Sequence, residues 1–167
     1  MIFVAVGTQL PFDRLIRTMD EWAGAGTDRR VLAQIAAGEY LPSHLEWQRN
    51  IAPDVFRNCL EQSRVVVAHA GIGTILSALE LGKPVIVLPR RAALGEHRND
   101  HQLATAARFG ARRLVSVAHD EDELKSLLNE LDVSGSSERI SPSASPELLS
   151  QLTNYIEQAA HSRRKGR

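Results

Sequence analysis

The chain has 167 residues, of which 43% are hydrophobic and 24% are charged, and its 20 basic and 20 acidic residues leave no formal net charge at pH 7. This length allows one domain with a proper core, and the neutral balance argues against bulk binding to nucleic acid. The single cysteine, Cys59, excludes an internal disulfide and a cysteine-based zinc site, and it fits a reducing cytoplasm. No apolar run approaches the ~20 residues that span a bilayer, and residues 1–4 predict a first strand and not a signal peptide because they lack a basic n-region.

Strand and helix patterns alternate along the chain, which predicts an α/β fold with a parallel sheet. Short apolar runs bounded by turn residues predict the strands, and apolar stripes of helical period predict the helices. The predicted strands span residues 2–6, 31–36, 65–68, 85–88 and 114–117. The predicted helices span residues 12–23, 53–61, 74–81, 99–109 and 120–131. Residues 40–53 predict a short strand or an extended segment.

Glycine and proline mark the predicted helix ends. Gly82 lies where a C-terminal cap glycine belongs, Pro84 blocks continuation, and Gly110 is the cap predicted for the helix at residues 99–109. Phe56 and Leu60 are predicted to point inward together with Val55. Trp47 fits either core packing or a platform on which a base stacks.

The C-terminal part of the chain differs in composition. A folded domain is predicted at residues 1–133, and residues 134–145 are rich in Ser, Pro and Gly and predict a linker. Residues 146–167 predict an amphipathic helix and a basic tail. These last two features are candidates for docking a partner and the anionic cytoplasmic leaflet.

The turn after the strand at residues 65–68 carries the motif on which a functional hypothesis depends. It reads HAGIGT, and open α/β sheets bind ligands at turns of this kind. Gly71 and Gly73 have no Cβ, so a ligand can approach the backbone, and the free N–H groups at the start of the next helix attract a phosphate. The other interpretation is a plain turn with Thr74 as the helix N-cap.

Cationic and imidazole side chains follow on loops that a parallel sheet would place at the same edge. These side chains are Arg90, Arg91, His97, Arg98 and His101. Donors of this kind beside a helix N-terminus indicate an anionic ligand.

The motifs HAGIG, LELGKPVIVLP and NDHQ, in this order, resemble the C-terminal, nucleotide-sugar-binding half of the glycosyltransferase family 28 group. VGTQLPFDRL and PRRAALGEHRNDHQ make the chain most similar to the small PssE/EpsF-type exopolysaccharide subunits in that group, which also includes the catalytic subunit of the split dolichol N-acetylglucosaminyltransferase. The resemblance covers residues 1–118. It implies a Rossmann-like parallel sheet with helices on both faces, equivalent to the C-terminal half of a GT-B glycosyltransferase.

The resemblance also implies which residues contact a nucleotide-sugar. The diphosphate contacts are Gly7, Thr8, Gln9, Gly71, Ile72, Gly73, Thr74, Arg90 and Arg91. If the sugar is a uronic acid, the two arginines could pair with its carboxylate instead. The donor-sugar contacts are His69, Glu96, His97, Asn99, Asp100, His101 and Gln102. The loop at residues 50–52 would lie near the uracil ring. Ser77 stands where many members place an acidic ribose ligand, and a serine cannot accept two hydroxyl protons as a carboxylate does.

Several of these residues have a second interpretation that involves no ligand. Asn99 or Asp100 fits a helix N-cap, and Arg90 and Arg91 fit a solvated charge pair. The turn at residues 7–9 fits an ordinary first connection from strand to helix.

The function implied by the resemblance is that of the donor-binding subunit of a split, metal-independent inverting glycosyltransferase. It would take a sugar, with glucuronic acid as a candidate, from a UDP-sugar and pass it to a lipid-linked acceptor in exopolysaccharide biosynthesis, without a further cofactor. Because 167 residues cannot hold both GT-B halves, the catalytic base is expected in a membrane-associated partner that carries the N-terminal half. The chain would then act in the cytoplasm at the inner face of the membrane. The alternative is a non-catalytic, nucleotide-binding scaffold subunit that stabilises a partner transferase.

Three further patterns indicate other chemistry. The acidic run at residues 120–122 has the acid-x-acid form of metal-dependent sugar transferases, but it also fits the capping of a helix. His97 and His101 are spaced one helical turn apart, as zinc ligands can be, without a third ligand nearby. A dinucleotide fingerprint would need a third glycine where Leu76 stands, and Arg91 near the position of its ribose-binding acid leaves only NADP conceivable.

Overall fold

The computed structural model describes residues 1–131, so the predicted linker at 134–145 and the predicted helix and tail at 146–167 lie outside the described residues. Strands and helices alternate, as the sequence predicts. The strands are β1 (Ile2–Ala5), β2 (Val31–Gln34), β3 (Glu46–Gln48), β4 (Val65–Ala68), β5 (Val85–Val87) and β6 (Ser116–Val117). The helices are α1 (Asp13–Gly24), α2 (Pro53–Gln62), α3 (Ile72–Glu80), α4 (His101–Ala111) and α5 (Glu121–Asn129), with a 3-10 turn at Ala92–Leu94.

The described strands form one parallel sheet in the order β3-β2-β1-β4-β5-β6. The order reverses where β1 lies between β2 and β4, and ligands bind at such a switch point in open α/β sheets. Ala5 at the end of β1 is in register with Gln34 of β2 and with Ala68 of β4. The segments that follow these three residues therefore meet at one edge of the sheet. The predicted Rossmann-like architecture is confirmed.

Helices cover both faces of the sheet because strand side chains alternate between two apolar cores. Val4 belongs to the core shared with α1 and α5, whereas Phe3 belongs to the core shared with α2, α3 and α4. The Phe3 ring contacts Phe56 of α2 edge-to-face, with 5.1 Å between ring centroids. Trp47 of β3 packs against the first core, and among the described residues it does not reach the pocket described below.

Three details of the sequence prediction are wrong. Helix α3 begins two residues before Thr74, with Gly71 as its N-cap in an extended conformation (φ −85°, ψ 125°), because the Gly71 carbonyl already accepts the N–H of Ile75 at 3.1 Å. Gly110 lies inside α4, where its small size matters because a Cβ would lie 2.8 Å from the Val117 side chain. Val55 is 44% exposed because Phe56, Cys59 and Leu60 form the face of α2 that packs on the core.

Two predicted helix ends are confirmed. Gly82 follows α3 with φ +66°, the left-handed conformation that glycine adopts readily, and its N–H donates to the Leu79 carbonyl at 2.9 Å. Asp120 caps α5, since its carboxylate accepts the N–H of Glu123 at 2.8 Å. Capping therefore accounts for this acidic run. Within residues 1–131, no helix has the length and apolarity needed to cross a membrane.

Candidate functional site

A pocket of about 590 Å³ lies along the carboxyl ends of β2, β1, β4 and β5, at the switch point of the sheet. Many of the residues predicted to contact a ligand line it together. They are Gly7, Thr8, Gln9, His69, Gly71, Gly73, Thr74, Arg90, His97, His101 and Gln102. The same pocket is lined by residues that were not assigned a contact from the sequence, namely Val6, Leu10, Gln34, Pro53 and Phe56, and by Ile51 from the loop expected near a base.

Two glycine corners enclose the imidazole of His69. A Cβ on Gly7 would lie 2.9 Å from two ring atoms of His69, and a Cβ on Gly71 would overlap Nε2 and lie 2.8 Å from Cε1. Gly7 also has φ +78°, which an L side chain rarely adopts. Both glycines are therefore required by the packing of this ring, in addition to any ligand that approaches the backbone.

His69 is neutral in the folded protein. Burial lowers its pKa to about 4 and is the largest effect. The hydrogen bond to the Ala5 carbonyl raises the pKa and the charge of Arg90 lowers it, each by less. Its Nδ1 lies 3.3 Å from that carbonyl oxygen, so Nδ1 carries the proton and donates, which leaves Nε2 as an acceptor beside the glycine corners.

The N-terminus of α3 opens into the pocket, and no described side chain forms a capping hydrogen bond with it. The N–H groups of Ile72, Gly73 and Thr74 therefore remain for a ligand. A Cβ on Gly73 would have nothing within 4 Å, so the space in front of this residue is open. The positive end of the helix dipole faces this space, which suits an anionic group.

Arg90 is a buried cation, 2% exposed, that joins the loops after β1 and β5. Its Nη2 donates to the carbonyls of Val6 at 2.6 Å and Leu10 at 2.7 Å, and its Nη1 donates to the Glu96 carbonyl at 3.3 Å. Its Nε has no partner among the described residues. Burial lowers the pKa of Arg90, and an arginine remains charged even so. The pocket therefore carries a positive charge that is held by three backbone carbonyls and lies within the field of the nearby Glu96 carboxylate.

The Glu96 carboxylate holds the loop after β5 in place through hydrogen bonds. Its carboxylate accepts two hydrogen bonds from Arg14 of α1, at 2.6 and 2.8 Å, and one from the backbone N–H of Arg91 at 2.9 Å. Burial lowers the pKa of Arg14, but the hydrogen bonds and charge of Glu96 outweigh it, so the pKa is raised. The Arg91 guanidinium turns away and donates to the His119 carbonyl.

The start of α4 brings two imidazoles and an amide to the pocket. The rings of His97 and His101 contact edge-to-face with 4.5 Å between centroids, and His97 Nδ1 is buried without a partner among the described residues. Burial, followed by the nearby His101, lowers the pKa of His97. Gln102 is 4% exposed, and its amide oxygen accepts the backbone N–H of Arg90 at 3.1 Å.

Some predicted contact residues do not line the pocket. They are Ile72, Ser77, Arg91, Glu96, Asn99 and Asp100. Ile72 offers only its backbone N–H. Asp100 precedes α4, and its carboxylate accepts the N–H of Ala92 at 2.8 Å. The Asn99 side chain accepts from the backbone N–H of His101 at 3.4 Å. In this structure the polar side chains of the loop at residues 90–100 thus serve largely to hold the loop itself.

A family comparison decides what kind of domain this is. The model of the glycosyltransferase family 28 C-terminal domain matches residues 1–158. The chain belongs to this family. The human UDP-N-acetylglucosamine transferase subunit ALG13 is 31% identical over 117 residues, which cover 63% of this chain and 10% of that protein.

Solved structures agree on the fold. The glycotransferase of kitacinnamycin matches with a TM-score of 0.60 at 25% identity, over 80% of this chain and 35% of that one. The solution structure of ALG13 matches with a TM-score of 0.57 at 18% identity, over 91% of this chain and 94% of that one. This chain spans about a tenth of the curated human relative and about a third of the kitacinnamycin enzyme.

The side chains that line the pocket are cationic where they carry a formal charge. No aspartate or glutamate is among the described residues that line it, whereas Arg90, His97 and His101 are. Among residues 1–131, no group of three histidine, cysteine or acidic side chains is arranged to hold a metal ion. The pocket of this family 28 domain is therefore lined by backbone N–H groups, one buried cation and imidazole side chains.

Proposed function

We propose that this chain is the donor-binding subunit of a split, metal-independent inverting glycosyltransferase that uses a UDP-sugar. One observation carries the proposal. The pocket lies at the switch point of the sheet, where the glycine corners at Gly7 and Gly71 and the uncapped start of α3 face an open space that no described carboxylate lines. This arrangement supports a diphosphate as the occupant.

The same groups would stabilise the leaving diphosphate. Negative charge grows on the diphosphate as the glycosidic bond breaks, and the uncapped N–H groups of Ile72, Gly73 and Thr74 would donate to the oxygens on which that charge grows. The buried Arg90 adds a fixed positive charge at the same edge. Because these donors need no reorganisation, they would favour the transition state over the bound substrate.

The donor sugar would occupy the end of the pocket near α4. There, Gln102, His97 and His101 offer groups that can donate and accept hydrogen bonds from sugar hydroxyls. The buried Arg90 at this edge is compatible with the carboxylate of a uronic acid, and glucuronic acid in exopolysaccharide biosynthesis is the sugar that we propose. A panel of UDP-glucuronic acid, UDP-glucose and UDP-N-acetylglucosamine in a thermal-shift assay tests this choice, since at equal concentration the ligand that binds most tightly stabilises the protein most.

The acceptor and the catalytic base would come from a partner. An acceptor hydroxyl must lose a proton as it attacks, and the imidazole of His69 is a weak base for it because burial lowers its pKa to about 4. The human relative is named as a transferase subunit, which supports a divided enzyme. We propose a membrane-associated partner that presents a lipid-linked acceptor at the cytoplasmic face.

Transfer and binding assays test the proposal together. Labelled sugar should pass from the UDP-sugar to a lipid fraction only when this chain is combined with a subunit that carries the acceptor-binding half. UDP should bind the isolated chain measurably by calorimetry, and NADPH should not. Transfer by this chain alone would contradict the divided arrangement, and preference for NADPH would contradict the donor assignment.

A second candidate is a non-catalytic scaffold that stabilises a transferase. It is favoured by the polar side chains of the loop at residues 90–100, because Arg91, Glu96 and Asp100 are engaged within the protein and do not face the pocket. Gly73→Ala separates the two candidates, since its Cβ enters the pocket and touches no described atom. Full transfer by a complex that carries this variant would favour the scaffold.

A further inference from the structure

Gln34 is a polar residue of the pocket to which the proposed function assigns no contact. It ends β2 and is only 3% exposed, yet its side-chain amide has no hydrogen-bond partner among residues 1–131. It lines the pocket, so the small part of the residue that is exposed faces the ligand space. The buried polar atoms that lack a partner within residues 1–131 do not include those of Gln34, so its amide reaches the space of the pocket, where a ligand can pair with it.

The surroundings of Gln34 are apolar. Leu32, two residues earlier on the same strand, packs against the core that contains Ile51 and Phe56, and strand alternation places Gln34 on the same face. Ile51, Pro53 and Phe56 line the pocket beside it. The amide therefore lies on the face of the sheet that packs against this apolar core, and it shares the pocket with aliphatic and aromatic side chains, which together form the compartment discussed below.

This compartment lies away from the cationic end of the pocket. Gln34 is in register with Ala5, so it lies on the β2 side of β1, whereas the uncapped start of α3 follows β4 on the other side. Arg90 and the two imidazoles lie farther along the edge, after β5. A ligand that crosses the switch point would thus place its anionic part over α3 and a planar, less polar part over Gln34.

We infer that Gln34 reads the polar edge of the nucleobase, an inference that rests on the proposed nucleotide-sugar function. Its amide presents an N–H donor beside a carbonyl acceptor, and uracil presents a carbonyl acceptor beside the N3–H donor. The two can form a pair of hydrogen bonds. The apolar walls formed by Ile51 and Phe56 suit the flat faces of a base better than a ribose covered with hydroxyl groups.

The test compares three ligands on the wild type and on Gln34→Met, which keeps a linear side chain of similar length but cannot make both hydrogen bonds. The ligands are UDP, N3-methyl-UDP and 2′-deoxy-UDP, and pyrophosphate serves as a probe for the anionic half alone. We expect the wild type to bind N3-methyl-UDP about tenfold more weakly than UDP. The variant should bind UDP about tenfold more weakly than the wild type, bind pyrophosphate equally well, and no longer distinguish UDP from its N3-methyl form.

Each other outcome overturns the inference in a recognisable way. Equal binding of UDP and N3-methyl-UDP by the wild type would show that the base edge is not read, whether or not the variant folds. Loss of discrimination against 2′-deoxy-UDP in Gln34→Met would place the amide on the ribose. If the wild type bound neither UDP nor pyrophosphate, the proposed function itself would fail, and this inference with it.

Discussion

The imidazole of His69 is enclosed by Gly71 so tightly that a Cβ on the glycine would lie 2.8 Å from the ring carbon Cε1. Gly71 is also the N-cap of α3, and its extended backbone (φ −85°, ψ 125°) is open to any residue. The need for glycine here therefore comes from the ring. Gly73, two residues later, has nothing within 4 Å of its Cβ position. The two glycines of one turn thus have different physical roles.

Alanine at these two glycines should have opposite effects on stability. Gly71→Ala forces the His69 ring to move, which should lower the free energy of unfolding by about 1–3 kcal/mol. Gly73→Ala lies inside α3 without a clash and should raise it by about 0.5–1 kcal/mol, while its Cβ weakens the binding of UDP. Urea denaturation and calorimetry measure both quantities. A Gly71→Ala variant as stable as the wild type would rule out the tight packing of the ring.

His69 should make stability depend on pH in a defined window. Its pKa is about 4 in the folded protein against an ordinary value of 6.5, so between these values the unfolded chain binds a proton that the folded chain does not. The free energy of unfolding should therefore fall as the pH is lowered from 6.5 to 4, by up to about 1.4 kcal/mol per pH unit from this residue. Its contribution should be fully present above pH 6.5.

Urea denaturation of the wild type and His69→Gln across this range measures that contribution. In the difference between the two curves, the contributions of the other titrating groups to the free energy of unfolding cancel, apart from the coupling between His69 and the nearby His97. Parallel curves would mean that His69 is not held neutral by burial.

The ion pair between Arg14 and Glu96 should matter for stability. The two side chains are 13% and 11% exposed, and Glu96→Gln would leave the Arg14 charge with only its longer contact to Glu121, at 3.4 Å. We expect a loss of about 1–3 kcal/mol in the free energy of unfolding. The exposed pair of Arg30 with Glu46, at 62% and 55%, offers a matched control, and Glu46→Gln should cost less than about 1 kcal/mol. Equal effects of the two variants would refute a special role for Glu96 in holding its loop.

Arg90 and Arg91 should differ sharply in their effect on ligand binding. Arg90→Lys keeps the charge but cannot span the carbonyls of Val6 and Leu10 with one planar group, so UDP should bind more than about tenfold more weakly. The Arg91 guanidinium bonds to the His119 carbonyl outside the pocket, so Arg91→Lys should change the affinity by less than about twofold. Calorimetry with UDP measures both. A large loss in Arg91→Lys would restore the diphosphate contact implied by the sequence resemblance.

The order of elements could be predicted from the sequence because each element carries its own local pattern. The run Val65–Ala68 is buried on both faces and reads as a central strand, and Gly82 ends α3 with the positive φ that its position required. The predicted end of an element was less accurate where one residue fits both a helix cap and a closely packed position inside a helix. Gly110 was interpreted as a helix cap, but it lies inside α4 because the helix packs closely on Val117.

The site was only partly predictable, because the partners of loop side chains lie far away in the sequence. Arg14 and Glu96 are 82 residues apart, and nothing local indicates that they bond. Gln34 was missed for a similar reason: only the strand order, which places β2 beside β1, brings its amide to the pocket. Residues on the glycine turns were found because their function depends on the backbone, which a short motif can specify.

Titration of the isotope-labelled protein with UDP, followed by amide NMR shifts, tests the central claim most directly. The account predicts saturable shifts concentrated at the turn of residues 7–9 and at Ile72, Gly73 and Thr74, with a further shift of the Gln34 side-chain amide, and it predicts their loss in Gly73→Ala. If UDP shifted none of these amides at millimolar concentration, or shifted only amides at the opposite edge of the sheet, a diphosphate cradle at the switch point would be contradicted.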